Sequence, residues 1–256
     1  MAFYGKTALI TGGASGLGRL HAIQLSEMGA KVAILDLNEK ALTETAAISP
    51  NIIPFKCDVA NLKQVQEIVN SLEKEIGKID RFIHCAAIMP GGLLMDFDAD
   101  AVNKVMIINY GGMINVCHTV IPRMLKRNSG DVIIYGSTAG LVPISRFGAY
   151  GATKAATNLY AKVLIRENKK SAIRFQLVCP PAVDTPLINQ AKEDGPIFLK
   201  NAQKTHRNII SPEEVVRSVE KCLEKGQKLN YPGQAKWINL LQGIVPSLLD
   251  KMAQRE

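Results

Sequence analysis

The amino-acid sequence predicts an α/β fold: a single doubly wound parallel sheet of about seven strands with helices on both faces. Short apolar runs alternate with longer amphipathic segments along the chain, as in repeated β-α-β units. The runs are rich in Val, Ile, Leu and Ala, as buried parallel strands are. No linker, repeat or charge block divides the 256 residues, so we expect one domain over 1–256.

Composition limits the classes of protein to consider. The formal charge of +8 is spread among alternating acids and bases, which favours solvated helix faces over a nucleic-acid surface. The five cysteines are widely spaced and include no C-x-x-C, so we expect buried thiols in a reducing compartment, with no disulfide or metal site. We expect no signal peptide, because the chain enters its first predicted strand at Lys6, and we find no apolar run of about 20 residues in the sequence. A cytoplasmic protein with no integral membrane segment is predicted.

The first predicted strand, Lys6–Ile10, leads into a glycine-rich turn and then into an amphipathic helix that ends near Gly29. In this setting glycines let the backbone approach a phosphate, and the amino end of the helix attracts the pyrophosphate of a dinucleotide. The alternative is a simple tight turn. The residues of the turn expected to contact a cofactor are Thr11, Gly12, Ser15, Gly16, Leu17 and Gly18.

The second predicted strand, Lys31–Asp36, ends in a carboxylate followed by Leu37. A carboxylate here can accept hydrogen bonds from both adenine-ribose hydroxyls and would repel a 2′-phosphate, which favours NAD over NADP. Capping of the helix from Asn38 onward is the alternative role for Asp36. Arg19 is the nearby residue that would favour NADP.

The third and fourth predicted strands also deliver candidate cofactor residues. Asn51–Cys57 leads to Asp58 and Val59, where Asp58 either contacts the adenine amino group or caps the next helix. Ile79–Cys85 leads to Ala86 and Ala87, which are small enough for a cofactor to pass. His84 is expected to be a hydrogen-bonded core residue, because no second metal ligand stands at a usable spacing.

Two polar features follow the fourth strand. Asp96, Asp98 and Asp100 are interpreted as negative charge at the start of a helix rather than as metal ligands. The helix is then interrupted by Asn109 and by Gly111-Gly112. An Asn among apolar neighbours costs stability unless its amide is bonded, so Asn109 is expected either to brace backbone or to hold a water.

The stretch from Ser137 to Lys154 carries the predicted chemistry. Tyr150 and Lys154 are one helical turn apart on one face. A free phenol has a pKa of about 10, and a nearby cation favours the phenolate, so the pair is expected to act as an acid and base. Ser137 follows the fifth strand, where its hydroxyl can bond a substrate oxygen. The alternative is an ordinary pair on a helix surface.

The sixth predicted strand, Ile173–Cys179, ends at Pro180 and leads to Val183 and Thr185. Ligands of such sheets bind beyond the carboxyl ends of the strands. Residues 187–210 are interpreted as a substrate lid, with a surface loop as the alternative. Residues 235–256 form an apolar tail that would cover a substrate, pack in an oligomer or touch a membrane.

Together these motifs resemble the single-domain branch of the short-chain dehydrogenase/reductase family over Lys6 to about Pro186. Thr11, Gly12, Gly16 and Gly18 match its T-G-x-x-x-G-x-G motif, and Tyr150 and Lys154 match its Y-x-x-x-K motif. The resemblance implies a Rossmann-like fold and the catalytic set Asn109, Ser137, Tyr150 and Lys154. It implies cofactor contacts at Thr11, Gly12, Ser15, Gly16, Leu17, Gly18, Asp36, Leu37, Asp58, Val59, Cys85, Ala86, Ala87, Tyr150, Lys154, Pro180, Val183 and Thr185.

The implied activity is hydride transfer between NAD(H) and a secondary alcohol or ketone. Tyr150 would exchange the hydroxyl proton, Ser137 would orient the oxygen, and Asn109 would anchor a proton-relaying water. An apolar substrate and a homodimer or homotetramer are expected. The alternative is a non-catalytic dinucleotide-binding sensor or scaffold. Two departures concern cofactor affinity: His84-Cys85-Ala86-Ala87 replaces the family's N-N-A-G, and Pro180-Pro181 replaces its P-G.

Overall fold

The computed structural model describes Phe3 and residues 5–191, 194–196, 199 and 209–244. Within these ranges the chain forms one parallel sheet of seven strands. The strands are β1 (Thr7–Thr11), β2 (Lys31–Asp36), β3 (Ile52–Lys56), β4 (Arg81–His84), β5 (Asp131–Tyr135), β6 (Arg174–Val178) and β7 (Leu229–Asn230). The helices are α1 (Gly16–Glu27), α2 (Glu39–Ala46), α3 (Leu62–Glu75), α4 (Ala99–Met106), α5 (Gly112–Arg127), α6 (Gly148–Glu167), α7 (Pro212–Glu224) and α8 (Ala235–Ile244).

The strand order is β3-β2-β1-β4-β5-β6-β7. The chain therefore runs outward from β1 to β3, then crosses back to place β4 on the other side of β1. Where the direction reverses, the loops after β1 and β4 diverge and leave a crevice at the carboxyl ends of the strands. The predicted doubly wound sheet is confirmed, and this crevice positions the site.

Alternation along the strands builds an apolar core on each face of the sheet. In β1, Leu9 packs into the core shared with α3, α5 and α6, whereas Ala8 and Ile10 pack into the core shared with α1, α2 and α7. Successive side chains of a strand point to opposite faces, so every residue of β1 is buried. The strands are consequently mostly apolar, as their composition predicted, and polar strand residues such as Arg81 and His84 are themselves buried.

Side-chain caps start four of the helices. Asn38, Asn61, Asp98 and Ser211 each accept a hydrogen bond from the backbone N–H three residues later, which satisfies a donor that the helix itself leaves free. Asp98 thereby takes the helix-starting role expected of the acidic cluster. Among the described residues, no group of His, Cys, Asp and Glu has an arrangement that could hold a metal ion.

The helix after β4 is continuous where the sequence indicated an interruption. A π-helical turn, Ile107–Gly111, joins α4 to α5, so that one helix runs from Ala99 to Arg127. Among the described helices it alone is long and apolar enough to cross a membrane by length and composition, with a mean hydropathy of 1.2, and half of its apolar window is buried. It packs against α3, α6 and the sheet, as a core helix of a globular domain does.

The two predicted peripheral segments are described in part. In the predicted lid 187–210, Pro186–Ala191 forms a 3-10 helix and Ile210 forms a bridge with Val183. In the tail 235–256, α8 accounts for Ala235–Ile244. The other residues of these two segments lie outside the described ranges, apart from 194–196, Leu199 and Ile209.

Candidate active site

The glycine turn between β1 and α1 is shaped by close backbone contacts. Gly12 has a φ of +66°, and a Cβ added there would lie 2.8 Å from the backbone nitrogen of Ala86. A Cβ on Gly18 would overlap the Gly12 carbonyl oxygen. The residue before α1, Ser15, makes no side-chain cap within the described part of the chain. The first turn of α1 therefore presents backbone donors and a positive dipole end, which together suit an anion.

The two predicted adenosine contacts lie at the ends of β2 and β3. The Asp36 carboxylate accepts hydrogen bonds from Ala14 N at 3.3 Å and Asn38 N at 3.1 Å. It is therefore held by the turns around it, while Asn38 caps α2. Asp58 accepts from Ala60 N at 2.9 Å, and Asn61 caps α3. Neither carboxylate is a helix cap, so the capping alternatives for both are wrong.

A cavity of about 510 Å³ lies along the carboxyl ends of the strands. All but one of the predicted cofactor residues line this cavity. The predicted residues that line it are Gly12, Ser15, Gly16, Leu17, Gly18, Asp36, Leu37, Asp58, Val59, Cys85, Ala86, Ala87, Tyr150, Lys154, Pro180, Val183 and Thr185. The exception is Thr11, which is fully buried. Its hydroxyl bonds His84 Nδ1 at 2.9 Å and accepts from Ala86 N at 3.3 Å. Thr11 thus supports the cavity wall from behind, which corrects its predicted role as a cofactor contact.

The predicted acid-base group is assembled at one end of this cavity. Ser137, Tyr150 and Lys154 all line it, and their residues are at most 9% exposed. Lys154 Nζ lies 5.8 Å from the centroid of the Tyr150 ring and donates to the Tyr135 carbonyl oxygen at 2.8 Å. The Tyr150 ring packs against Phe147, with centroids 5.7 Å apart. The alternative of a solvent-exposed helix pair is therefore wrong.

Ser137 is held by a residue that the sequence reading missed. The amide of Asn158 donates to the Ser137 carbonyl oxygen at 3.0 Å, and its Oδ1 accepts from Ser137 N at 3.4 Å. Asn158 lies one helical turn after Lys154 on α6, so the same i,i+4 spacing that singled out Tyr150 and Lys154 could have found it. Its buried amide positions the backbone that carries the Ser137 hydroxyl.

Asn109 lies behind the cavity rather than in its lining. Its amide accepts from Ile88 N and donates to Ile88 O, both at 2.8 Å, and also donates to Thr153 Oγ1 at 3.1 Å. Of the two expected roles, the side chain takes the bracing one. It ties the π-helical turn to the loop after β4 and to α6, and π-helical turns are frequent at functional sites.

Comparison with known proteins agrees with this arrangement. The family model described as short chain dehydrogenase matches residues 6–195. The chain belongs to this family. It is therefore an oxidoreductase of the short-chain dehydrogenase type, with the parallel sheet and glycine turn of that family.

Three relatives show how broad the similarity is. Epidermal retinol dehydrogenase 2 of Mus musculus is 27% identical over 94% of this chain and 79% of its own length. The 2,3-dihydro-2,3-dihydroxybenzoate dehydrogenase of Bacillus subtilis (strain 168) is 31% identical over 72% of each chain. The crystal structure of a short chain dehydrogenase/reductase from Burkholderia phymatum in complex with NAD has a TM-score of 0.82 at 23% identity, covering 97% of this chain and 96% of that one. This last similarity shows the fold.

The two departures from the family pattern are accommodated without loss of the cavity. His84 is buried, and burial together with the nearby Lys154 ammonium lowers its pKa to about 3, so the ring is neutral. Its bond to Thr11 makes it the core histidine that was expected. Cys85 lines the cavity, and burial raises the pKa of its thiol. Pro180 and Pro181 also line the cavity, and the Pro180 carbonyl accepts from Thr138 N at 3.1 Å.

The pKa values of the pair differ from the expectation for this short-chain dehydrogenase. Burial raises the pKa of Tyr150 from 10.0 to about 12, although its hydrogen bond with Ser137 partly lowers it. Burial also lowers the pKa of Lys154 from 10.5 to about 8. In the protein chain by itself, the Lys154 ammonium therefore does not lower the pKa of Tyr150 towards neutral pH, because the cost of desolvating the phenolate dominates. The Lys154 hydrogen bond goes instead to the Tyr135 carbonyl.

The cavity continues past Tyr150 into an apolar compartment, which we define by the buried cluster Met89, Ala139, Phe147, Tyr150, Ile188, Ala191 and Leu199. Leu187–Ala191 belongs to the predicted lid, and Leu187, Ile188 and Gln190 line the cavity. In this part of the lid Ile188 and Ala191 are buried, whereas Asn189 and Gln190 are exposed. Sequence reasoning missed Met89 and Phe147, because they come from separate loops with no common spacing.

Proposed function

We propose that this oxidoreductase transfers a hydride between NAD(H) and an apolar secondary alcohol or ketone. The observation that carries the proposal is that Ser137, Tyr150 and Lys154 are buried together in a cavity that the glycine turn also lines. A proton-transferring group beside a dinucleotide cradle is what alcohol oxidation requires. The direct test is to screen secondary alcohols and ketones with NAD(H) and NADP(H) while following nicotinamide absorbance. Absence of turnover with every pair would refute the proposal.

The residues present fit a nicotinamide dinucleotide. The Gly12 backbone leaves no room for a side chain against Ala86, so the turn can approach a pyrophosphate closely. The uncapped first turn of α1 supplies donors for it. At the end of β2, the Asp36 carboxylate lines the cavity and would accept hydrogen bonds from ribose hydroxyls. Asp58, Val59, Val183 and Thr185 would complete the contacts.

A nicotinamide held by these residues would supply the hydride-accepting or hydride-donating carbon. Tyr150 then takes the hydroxyl proton of an alcohol, or returns it to a ketone, so that proton and hydride together account for the change in oxidation state. The Ser137 hydroxyl orients the substrate oxygen. Lys154 places a positive charge beside the phenol. Asn109 acts by holding the Ile88 backbone with its side-chain amide. The expected anchoring of a water by Asn109 stays a proposal, and the bonds of its side chain are not an argument for it.

The apolar compartment supports the proposed substrate class. Met89, Phe147, Ile188 and Leu199 are all buried beside Tyr150, and they would desolvate a hydrocarbon group attached to the reacting carbon. The similarity to a retinol dehydrogenase supports an apolar alcohol. The dihydroxybenzoate dehydrogenase relative is named for a substrate that carries a carboxylate, whereas the buried cluster that defines the compartment, among the described residues, is apolar.

Activity is expected to depend on pH in one direction of the reaction only. Alcohol oxidation needs the Tyr150 phenolate, which is scarce far below a pKa of about 12, so kcat/KM should rise between about pH 6 and 8. Ketone reduction needs the protonated phenol and should stay flat over the same range. Above about pH 8 the Lys154 ammonium loses its proton, which should flatten the rise. A rise in both directions would show that another group controls the proton.

Asp36→Ala is expected to relax the preference for NAD. Removing the carboxylate removes both the ribose hydrogen bonds and the repulsion of a 2′-phosphate, so the ratio of kcat/KM values for NAD and NADP should fall by about tenfold or more. Arg19 would then be available to a 2′-phosphate. Asp100→Ala, which makes the same charge change at an exposed helix start, is the control. An unchanged ratio in the Asp36 variant would mean that another residue selects the cofactor.

We further propose that the chain is a single cytoplasmic domain over 1–256 that works as a homodimer or homotetramer. Exposed apolar side chains on the core helices, Ile107 at 56%, Leu159 at 66% and Val163 at 45% exposure, support association. The tail 235–256 begins with α8, whose Trp237 is 63% exposed, and covering of substrate remains its first proposed role. A non-catalytic sensor has no need for the buried Ser137, Tyr150 and Lys154.

A further inference from the structure

Three loops form a roof over the apolar compartment. The loop after β4 contributes Met89, the loop after β5 contributes Phe147, and the loop after β6 contributes Ile188. The sheet determines where each loop starts, but its hydrogen bonds do not link the loops to one another. Other contacts must therefore decide how the roof is held.

Direct hydrogen bonds connect the three loops. Met89 N donates to Gln190 Oε1 at 2.8 Å, which joins the first loop to the third. Gly92 N donates to the Arg146 carbonyl oxygen at 2.9 Å, which joins the first to the second. Arg146 Nη1 donates to the Asp194 carbonyl oxygen at 3.3 Å, which joins the second to the third. Arg146 thus bonds both of the other loops.

The backbone of Arg146 has an unfavourable conformation at this position. Its φ is +64°, and among the described residues only one other non-glycine residue, Asn128, has a positive φ. Asn tolerates the left-handed conformation at a helix end, whereas Arg has no such preference. A residue keeps such a conformation where contacts with the surrounding structure hold it in place. For Arg146, the two hydrogen bonds to the neighbouring loops are these contacts.

A second contact packs two of the loops backbone to backbone. A Cβ added to Gly91 would lie 2.6 Å from Gly195 Cα and 2.7 Å from Gly195 N. Because these are backbone atoms rather than the end of a flexible side chain, they cannot move aside without separating the loops. Gly91 and Arg146 therefore close the same roof by independent means.

We propose that Arg146 is a positioning residue, and that with Gly91 it fixes the three loops as a preformed roof holding the apolar part of the substrate against Tyr150. The substrate part of this inference rests on the proposed function. The glycine turn and Asp36 belong to the other end of the cavity. Loosening the roof is therefore expected to weaken substrate binding and leave dinucleotide binding intact.

The test compares the full-length wild-type chain with Arg146→Asn, Arg146→Lys and Gly91→Ala. Asn accepts the left-handed backbone but is too short to reach Asp194, whereas Lys keeps a cationic donor on a long stem. Gly111→Ala is the matched control for Gly91→Ala, because a Cβ at Gly111 would meet only the Met106 carbonyl oxygen, at 3.9 Å. Three quantities are measured for each variant. Fluorescence titration gives the Kd for NADH, and steady-state kinetics give the KM for 2-octanone and 2-decanone. Amide hydrogen exchange is followed in peptides containing Met89–Gly92 and Pro186–Ala191.

Arg146→Asn and Gly91→Ala are expected to speed exchange in both peptides and to raise KM for the ketones about tenfold, since small misplacements at a site are costly. The Kd for NADH should stay within about twofold, and Arg146→Lys should recover most of the ketone KM. Unchanged exchange and unchanged KM in both variants would overturn the proposal, as would an equal loss of NADH binding. If the wild-type chain reduces neither ketone, the proposed substrate class fails, and the exchange measurement still decides whether Arg146 and Gly91 hold the roof.

Discussion

Tyr150→Phe is expected to lower kcat for alcohol oxidation by about a thousandfold or more while leaving the Kd for NAD within about twofold, because positioned general acid-base groups contribute about 10²–10⁴ in rate. The substitution removes one oxygen atom and keeps the ring that packs against Phe147. Substrate and cofactor should therefore still bind, and only the proton transfer should fail. Steady-state kinetics with a substrate found by the absorbance screen, together with NADH fluorescence titration, measure the two effects separately.

Tyr160→Phe is the matched control for this experiment. Tyr160 lies on the same helix, but it packs with Tyr110 and the core beneath the sheet and does not line the cavity. It should keep wild-type activity. Substantial turnover by the Tyr150 variant would refute the assignment of the proton-transferring group. A wild-type chain that binds NADH but turns over no alcohol or ketone would favour the non-catalytic sensor instead.

Gly12→Ala is expected to weaken NADH binding by about a hundredfold, which is the loss that a misplacement of about 1 Å can cause. Gly12 has a φ of +66°, and its new Cβ would lie 2.8 Å from Ala86 N. The turn after β1 and the loop after β4 would have to separate, which displaces the donors at the start of α1. Fluorescence titration with NADH measures the loss, and urea unfolding measures the accompanying change in stability.

Gly29→Ala separates backbone strain from the cavity. Gly29 also has a positive φ, +82°, but a Cβ there meets nothing within 4 Å. Both variants place Ala in the left-handed region, at a cost of about 1–2 kcal/mol in folding free energy. Only Gly12→Ala should lose NADH affinity. Equal NADH binding by the two variants would mean that the glycine turn does not contact the cofactor.

Local patterns were sufficient to predict the fold and to predict which residues would line the glycine-turn end of the cavity. Apolar runs predicted the strands of a parallel sheet, because helices cover both faces of such a sheet and most of its side chains are buried. The carboxyl ends of such strands lie at one edge, so Gly16, Asp36 and Asp58, although far apart in sequence, could be assigned to one cavity. The predicted interruption of the helix near Asn109 was wrong, because a π-helical turn joins α4 and α5 into one continuous helix.

Local sequence patterns could not predict which way a side chain points or how deeply it is buried. Thr11 was predicted to contact the cofactor because it belongs to the T-G-x-x-x-G-x-G motif, yet it lies behind the cavity wall and bonds His84. The spacing of Tyr150 and Lys154 placed them on one face of α6, but it could not tell how strongly desolvation raises the pKa of the phenol. That shift depends on how many atoms from other elements surround it.

The sequence by itself determined the parallel sheet, the glycine turn and the placement of Tyr150 and Lys154 on one face of a helix, because each is encoded in the spacing of residues within short segments. Only the tertiary structure decided that Thr11 and Asn109 support the site from behind and that Met89, Phe147 and Ile188 meet in one compartment. It also decided that Arg146 joins the loops above them. The physical reason is that these contacts join loops from different strands, whose relative positions depend on the packing of the whole sheet.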